Sequence, residues 1–162
     1  MARYVRTAEM DDLEALVAIE CASMPENERV GLTRLAERLA LFRHHYAVLI
    51  DEEKPVGFAG GLCTDHVALE NEHLEKAVLH RETGAFQSVM QLMVLPEYRG
   101  EGGGALLVSE MLRRAREEGR QGVILAAPDE ATLFFDRFGF FLKGVSRTFH
   151  TGTVWYDMIL RF

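Results

Sequence analysis

The residues best equipped for chemistry lie between Val94 and Ala105, in the run Val-Leu-Pro-Glu-Tyr-Arg-Gly-Glu-Gly-Gly-Gly-Ala. An apolar strand leads into this run and a helix leaves it. Gly102, Gly103 and Gly104 strip the first helical turn of side chains, so its main-chain N–H groups are open to a ligand. With the positive end of the helix dipole they make an anion site suited to a phosphate or diphosphate. Arg99 stands at its mouth with a planar fork of donors that phosphate accepts well. A nucleotide P-loop would close on Gly-Lys-Ser/Thr, whereas Ala105 and Leu106 follow Gly104, which excludes it. A dinucleotide fingerprint fits by letter, as Gly100-x-Gly102-x-x-Ala105. Against it, Pro96-Glu-Tyr-Arg99 separates the strand from the glycines and only one β-α-β unit follows. A glycine turn with no ligand leaves the entropic cost of three successive glycines without a reason.

The elements that must hold this loop can be read from periodicity and punctuation. Residues 2–7 form a strand, and capping residues from Thr7 to Asp12 start a helix with Leu13, Leu16 and Val17 on one face, which Pro25 ends. A second helix spans Leu32 to Phe42. Tyr46 to Ile50 and Val56 to Leu62 form a hairpin across the polar turn 51–55. Residues 67–80 suit an acidic amphipathic helix with Val67, Leu74, Ala77 and Val78 inward. A long strand runs from Phe86 to Leu95, and the helix after the glycines stops at Gly119. A buried strand at 123–127, a short helix at 130–138 and strands near 140–149 and 153–161 complete the chain. This order predicts one α/β domain over 1–162 with a mixed, mostly antiparallel sheet flanked by helices.

Composition narrows the function classes. An apolar fraction of 48% with 27% charged residues and four prolines belongs to a globular domain and not to a disordered chain. No run of about 18 apolar residues is present to span a bilayer, and no secretory signal is visible at the start, so a cytoplasmic protein is expected. The net charge of −7 argues against nucleic acid. Arg113, Arg114 and Arg116 read as a solvated helix face beside Glu117 and Glu118. Cys21 and Cys63 are expected to be reduced thiols. His44, His45, His66, His73 and His80 show no metal-ligand spacing, so no metal is expected.

Arg99-Gly-Glu-Gly-Gly-Gly104 resembles the acetyl-CoA signature Q/R-x-x-G-x-G/A of the Gcn5-related N-acetyltransferase (GNAT) superfamily. Leu133-Phe-Phe-Asp-Arg-Phe-Gly-Phe140 resembles the closing segment of that superfamily, and the element order agrees along nearly the whole chain. Leu79-His-Arg-Glu-Thr-Gly84, Arg137-Phe-Gly-Phe140 and Trp155-Tyr-Asp-Met158 are similar to the serotonin (arylalkylamine) N-acetyltransferase branch. The resemblance implies a GNAT fold and acetyl transfer from acetyl-CoA to the primary amine of a small, possibly aromatic, molecule by direct attack in a ternary complex. A catalytically weak acyl-CoA-binding or sensing domain is the alternative. A homodimer is expected by analogy alone.

Carried over by residue, the resemblance implies that the main chain of Leu92, Met93 and Val94 pairs with the pantetheine arm. Arg99, Gly100, Glu101, Gly102, Gly103, Gly104 and Ala105 would hold the diphosphate, with Phe135 beside the cofactor. The two histidines that relay the proton in that branch fall at Ser88 and Met90, and its thiol-protonating tyrosine falls at Phe135. Met and Phe move no proton. An attacking amine must be neutral, and for a Lys-like group only roughly 0.1% is so near pH 7. Glu20, on the stripe of Leu13 and Leu16, and Ser88, as a holder of water, are the candidates for the proton path, with His150 near the acceptor side. The N–H of Met93 or a neighbour would polarise the thioester oxygen. Met24, Pro25, Phe42, Ala126 and Trp155 are expected to line an apolar acceptor pocket.

Overall fold

A single strand that changes sheet halfway organises the molecule. The structure is a computed structural model and describes residues 3–148 and 152–162. The first sheet has the order β1 (Tyr4–Thr7), β2 (Tyr46–Asp51), β3 (Lys54–Gly60), β6 (Gln91–Val94), and every neighbouring pair is antiparallel. The second has the order β4 (Cys63–Thr64), β5 (Phe86–Val89), β7 (Gly122–Pro128), β9 (Trp155–Arg161), β8 (Phe141–Val145). There β5 and β7 run parallel, while the other pairs are antiparallel.

The expected strand from Phe86 to Leu95 is thus two strands, and the break at Met90 has a hydrogen-bond cause. The Ser88 N–H donates to the Leu62 carbonyl at 2.9 Å and that of Met90 to Gly60 at 2.8 Å. Gln91 also faces Gly60. Two residues therefore oppose one, which is a β-bulge, and a bulge bends its strand and sharpens the twist. Beyond it β6 stays with β3, whereas β7 is left to follow β5.

Helices cover the sheets as the apolar stripes require. α1 (Leu13–Ser23) and α2 (Leu32–Phe42) lie where expected, and Met24 is extended, as a residue before proline prefers. α4 (Gly103–Glu117) buries Leu107, Val108, Met111, Leu112 and Ala115, and Gly119 follows its end in the left-handed conformation. The helix expected at 67–80 is reduced to α3 (Asn71–Glu75) and a 3-10 turn at Ala77–Leu79. Lys76 between them is extended; of the stripe read there Ala77 is buried in the core and Leu74 half-buried, whereas Val67 and Val78 are exposed. α5 (Asp129–Asp136) stands over β7. No helix among the described residues is long and apolar enough to cross a membrane. The arginine cluster of α4 is neutralised locally, with Arg113 on Glu110 and Glu117, and Arg114 on Glu110. Both cysteines are free, and burial pushes the Cys63 thiol up to about 12, which leaves it unreactive.

An ion pair fixes the entry to α1. Arg6 donates two bonds to Asp12, at 2.8 and 2.9 Å, and the Glu9 N–H adds a third at 2.7 Å. Burial alone would push the Asp12 carboxyl up, but these donors together hold it below its usual value. A carboxyl depressed in the folded state contributes stability that is complete above the ordinary carboxylate range. That contribution disappears as pH falls through the folded value. Asp12→Asn is expected to lower stability at pH 7 by about 1–3 kcal/mol. In urea unfolding the gap to the unaltered protein should narrow as pH falls below the ordinary carboxylate range.

Candidate active site

The splay between β6 and β7 opens a cleft, and the ladder dictates what its edge offers. The Leu95 N–H donates to Val56 at 2.8 Å, so by the two-residue alternation of an antiparallel pair Met93 is also bonded to β3. The N–H groups of Leu92 and Val94 then point away from β3, towards the side on which β6 has no strand partner. Of the expected polarising donors, Met93 or a neighbour, the N–H of Met93 is spent in the ladder, and its neighbours are the ones left.

At one end of the cleft lies a cavity of about 450 Å³ lined by Met24, Leu92, Val94, Arg99 and residues 102–105, with Phe134 opposite. Gly102 caps α4 in the left-handed conformation with no side-chain cap, and the first helical bond runs from the Leu106 N–H to the Gly102 carbonyl. The N–H groups of Gly102, Gly103, Gly104 and Ala105 are therefore left for a ligand. The glycines serve different needs. Gly100 and Gly102 take positive φ with open space before them; a side chain at Gly103 would meet Leu49 at 2.7 Å, and one at Gly104 would face the Phe134 ring at 3.5 Å. Arg99 anchors its Nε on the Val94 carbonyl at 3.0 Å, which leaves its terminal nitrogens for an anion. Arg3 donates to the Glu101 carbonyl and ties the loop to the start of β1. Glu101 itself is exposed and lies outside the cavity lining.

Ser23, at the end of α1, lines the same cavity, and its hydroxyl oxygen is shielded from solvent with no partner among the described residues. A buried hydroxyl without a bond is costly unless a ligand supplies one. Helix end, arginine and orphan hydroxyl together fit a diphosphate-bearing cofactor.

A second cavity of about 450 Å³ continues along the cleft between Leu92 and Met93 on one side and Leu125, Ala126, Ala127 and Pro128 on the other. Phe134, Phe135 and Trp155 close it, and Glu28 stands at its rim. Phe135 is buried and brings no donor, as its type requires.

On the far side of β6, a cavity of about 280 Å³ is walled by α1, α2 and the loop between them. Its floor is a buried polar network. Glu20 accepts from the N–H groups of Val30 and Gly31, each at 2.9 Å, and from the Gln91 amide at 3.1 Å. The Gln91 carbonyl in turn accepts from Arg38 at 3.0 Å and from the Tyr46 hydroxyl, and Arg38 also donates to the Leu74 carbonyl at 2.8 Å. Glu20 and Arg38, each 2% exposed, thus neutralise one another through an amide. Met24, Glu28, Met90, Gln91, Met93 and Trp155 line both this cavity and the previous one.

Several expectations are corrected by these positions. Ser88 is fully buried, donates to the Leu62 carbonyl at 2.7 Å and lines none of the three cavities, so it holds no water for a relay. Glu20 is in place, but its oxygens already accept three bonds, two of them from main-chain N–H groups; it clamps the α1–α2 loop. Phe42 is core, stacked on His80 at 4.9 Å between ring centres. Met24, Pro25, Ala126 and Trp155 do line the cleft, and His150 lies outside the described residues. Glu28 was missed, because a residue of a 3-10 turn (Glu26–Glu28) carries no periodic signal.

Folding also gathers His45, His80 and Glu82, whose ligand atoms lie within 4.8 Å of one another although their spacing announced nothing. The main-chain N–H of Cys63 donates to His80 Nδ1 at 3.0 Å, which places the proton of neutral His80 on Nε2, donating to Glu82 at 2.8 Å. Burial, the first cause, holds His80 below its ordinary value and so neutral near pH 7. A metal-bound His80 Nε2 would need its lone pair and a donating Nδ1, the reverse of this arrangement. The cluster is a hydrogen-bond network that joins the turn before β2, β4 and the 80–82 loop.

Residues 42–141 match the family model described as an acetyltransferase (GNAT) domain. No curated protein sequence matches the chain. Among solved structures, the GNAT-like decarboxylase GphF in complex with isobutyryl-CoA superposes with a TM-score of 0.85 at 22% identity, covering 98% of each chain. The loading GNATL domain of CurA from Lyngbya majuscula gives 0.84 at 17%, covering 99% of this chain and 98% of the other. Arabidopsis thaliana Naa50 with a bisubstrate analogue gives 0.76 at 18%, with both chains covered completely. At these identities the likeness is one of fold.

If the cradle binds a diphosphate, Arg99→Gln should weaken CoA by roughly tenfold and Ser23→Ala by a few-fold, as loss of a charge-assisted and a neutral bond implies. Titration calorimetry reads both. Unaltered affinity in Arg99→Gln would remove this arginine from the site.

Proposed function

The chain belongs to the GNAT acetyltransferase family, and we propose that it transfers an acetyl group from acetyl-CoA to the primary amine of a small molecule by direct attack in a ternary complex. One observation carries this reading: a single cleft has unbonded helix N–H groups at one end and the carboxylate of Glu28 at the other. Neighbouring folds include proteins solved with CoA or acyl-CoA, which supports CoA as the ligand. They also include a decarboxylase and an N-acetyltransferase of a ribosomal protein, so fold leaves the acceptor open. The likeness to the arylalkylamine branch supports an apolar acceptor, and Met24 and Trp155 supply apolar wall.

Acetyl-CoA, when bound, supplies an electrophilic thioester carbon. The residues of this chain do the rest. Gly102–Ala105, Arg99 and Ser23 hold the diphosphate, and the free edge of β6 orients the arm. The N–H of Leu92 or Val94 is the donor available for charge developing on the thioester oxygen. The Glu28 side chain has no hydrogen bond or ion pair among the described residues, so its carboxylate is free to draw in an ammonium and take its proton. Phe135 offers no acid for the departing thiol. With a Cys-like value of about 8.5, that thiol leaves as a thiolate with little help.

Glu28→Gln should reduce kcat/KM by roughly 10²–10⁴-fold with CoA affinity retained, measured as thiol release from acetyl-CoA across a panel of amines. Tight CoA binding by the unaltered protein without thiol release for any amine would instead identify an acyl-CoA-binding or sensing domain.

A further inference from the structure

The cavity on the α1–α2 side of β6 contains more charge than a simple amine needs. Five of its lining residues are ionisable: Glu20, Glu28, Arg29, Arg34 and Arg38. Three are already committed to the protein. Glu20 is saturated by Val30, Gly31 and Gln91, and Arg38 by Gln91, Tyr46 and Leu74. Arg29 gives its Nε to the Met24 carbonyl at 2.9 Å and an Nη to that of Cys21 at 3.0 Å. Two remain. The side chains of Glu28 and Arg34, each residue half-buried, have no hydrogen bond or ion pair among the described residues.

Their placement gives this pair a direction. Glu28 lines both this cavity and the one running along β6, so it is the ionisable residue the two share. Arg34 lines the α1–α2 cavity alone. It precedes Arg38 by one turn on α2, and residues four apart share a helix face, so the buried Arg38 fixes the stripe on which Arg34 is presented. Arg34 also lies in the first turn of α2, where the helix dipole adds positive potential. A guanidinium with its fork unused is matched to a carboxylate, which it binds through two parallel bonds. Much of the remaining wall is apolar, from Met24, Val30, Leu74, Met90, Met93 and Trp155.

We propose that the acceptor is a zwitterion, an α-amino acid with an apolar side chain, whose ammonium meets Glu28 and whose carboxylate meets Arg34. The inference rests on the acetyl-transfer reading and adds the second charge to it. During transfer the ammonium gives one proton to Glu28, the neutral amine attacks the thioester carbon, and as the amide forms and the C–S bond breaks the departing thiolate takes the second nitrogen proton, so that CoA is released as its thiol. The acceptor carboxylate keeps its charge throughout, so Arg34 acts in binding and selection, not in bond-making. A peptide N-terminus offers the same amine without the adjoining carboxylate, and Arg34 discriminates against it.

The test uses the full chain and follows thiol release from acetyl-CoA with leucine, leucinamide, isoamylamine and a peptide beginning with leucine. Leucine is expected to exceed the other three in kcat/KM by roughly 10- to 100-fold, the worth of a charge-assisted pair. Arg34→Gln should remove most of that preference by raising KM for leucine, and Arg34→Lys should restore part of it. Melting temperatures of both variants should match the unaltered protein, since Arg34 has no partner to lose. Leucine handled no better than its amide or the peptide overturns the inference, as does a leucine preference that survives in Arg34→Gln. Absence of thiol release with all four overturns the acetyl-transfer reading and this inference with it.

Discussion

One extra residue in one strand sets up the rest of the molecule. Because Met90 and Gln91 both face Gly60, the strand bends there, and its second half leaves the sheet its first half belongs to. A sheet that stayed whole would have paired the polar main chain of Leu92 and Val94 with β7. The bulge leaves their N–H groups unpaired beside an apolar cleft, where an unsatisfied N–H is costly. The cleft is therefore chemically poised as well as empty: a ligand able to add itself as a strand satisfies what the fold leaves open.

The bulge also aims Gln91, and through it the other side of β6. Its amide lies between Glu20 and Arg38, two charges taken from water that would be untenable singly. Glu20 spends its remaining capacity on the Val30 and Gly31 N–H groups, which fixes the loop that carries Glu28 and the start of the helix that carries Arg34. The same buried network thus gives rigidity to a loop whose own contacts are few. Precision at the rim comes from charges in the floor. The functional side chains stay uncommitted because residues beneath them are fully committed.

Charge elsewhere is quenched by the same economy of partners. Arg113 and Arg114 meet Glu110 within one helix, and the His45–His80–Glu82 group has Cys63, Gln87 and Arg120 as its outer partners. Against that background the unpaired Glu28 and Arg34 stand out.

The diphosphate cradle was legible in the sequence because it is written in residue types with few uses: three glycines opening a helix and an arginine just before them. The helix stripes of α1, α2 and α4 were legible for the same reason, since burial of one face imposes a period on the chain. Where an apolar residue goes when no period binds it was not legible, so Val67 and Val78 were assigned inward and are exposed, and Phe42 was assigned to a pocket and lies in the core. Ser88 and Glu20 were recognised as polar groups in apolar places, but only their partners, the Leu62 carbonyl and the Val30–Gly31–Gln91 donors, decide that they are already satisfied. The sequence determined which residues could grip an anion, because that needs only local backbone and adjacent side chains. Tertiary structure decided which carboxylate and which guanidinium remain free to meet an acceptor, because freedom depends on every neighbour that folding brings near.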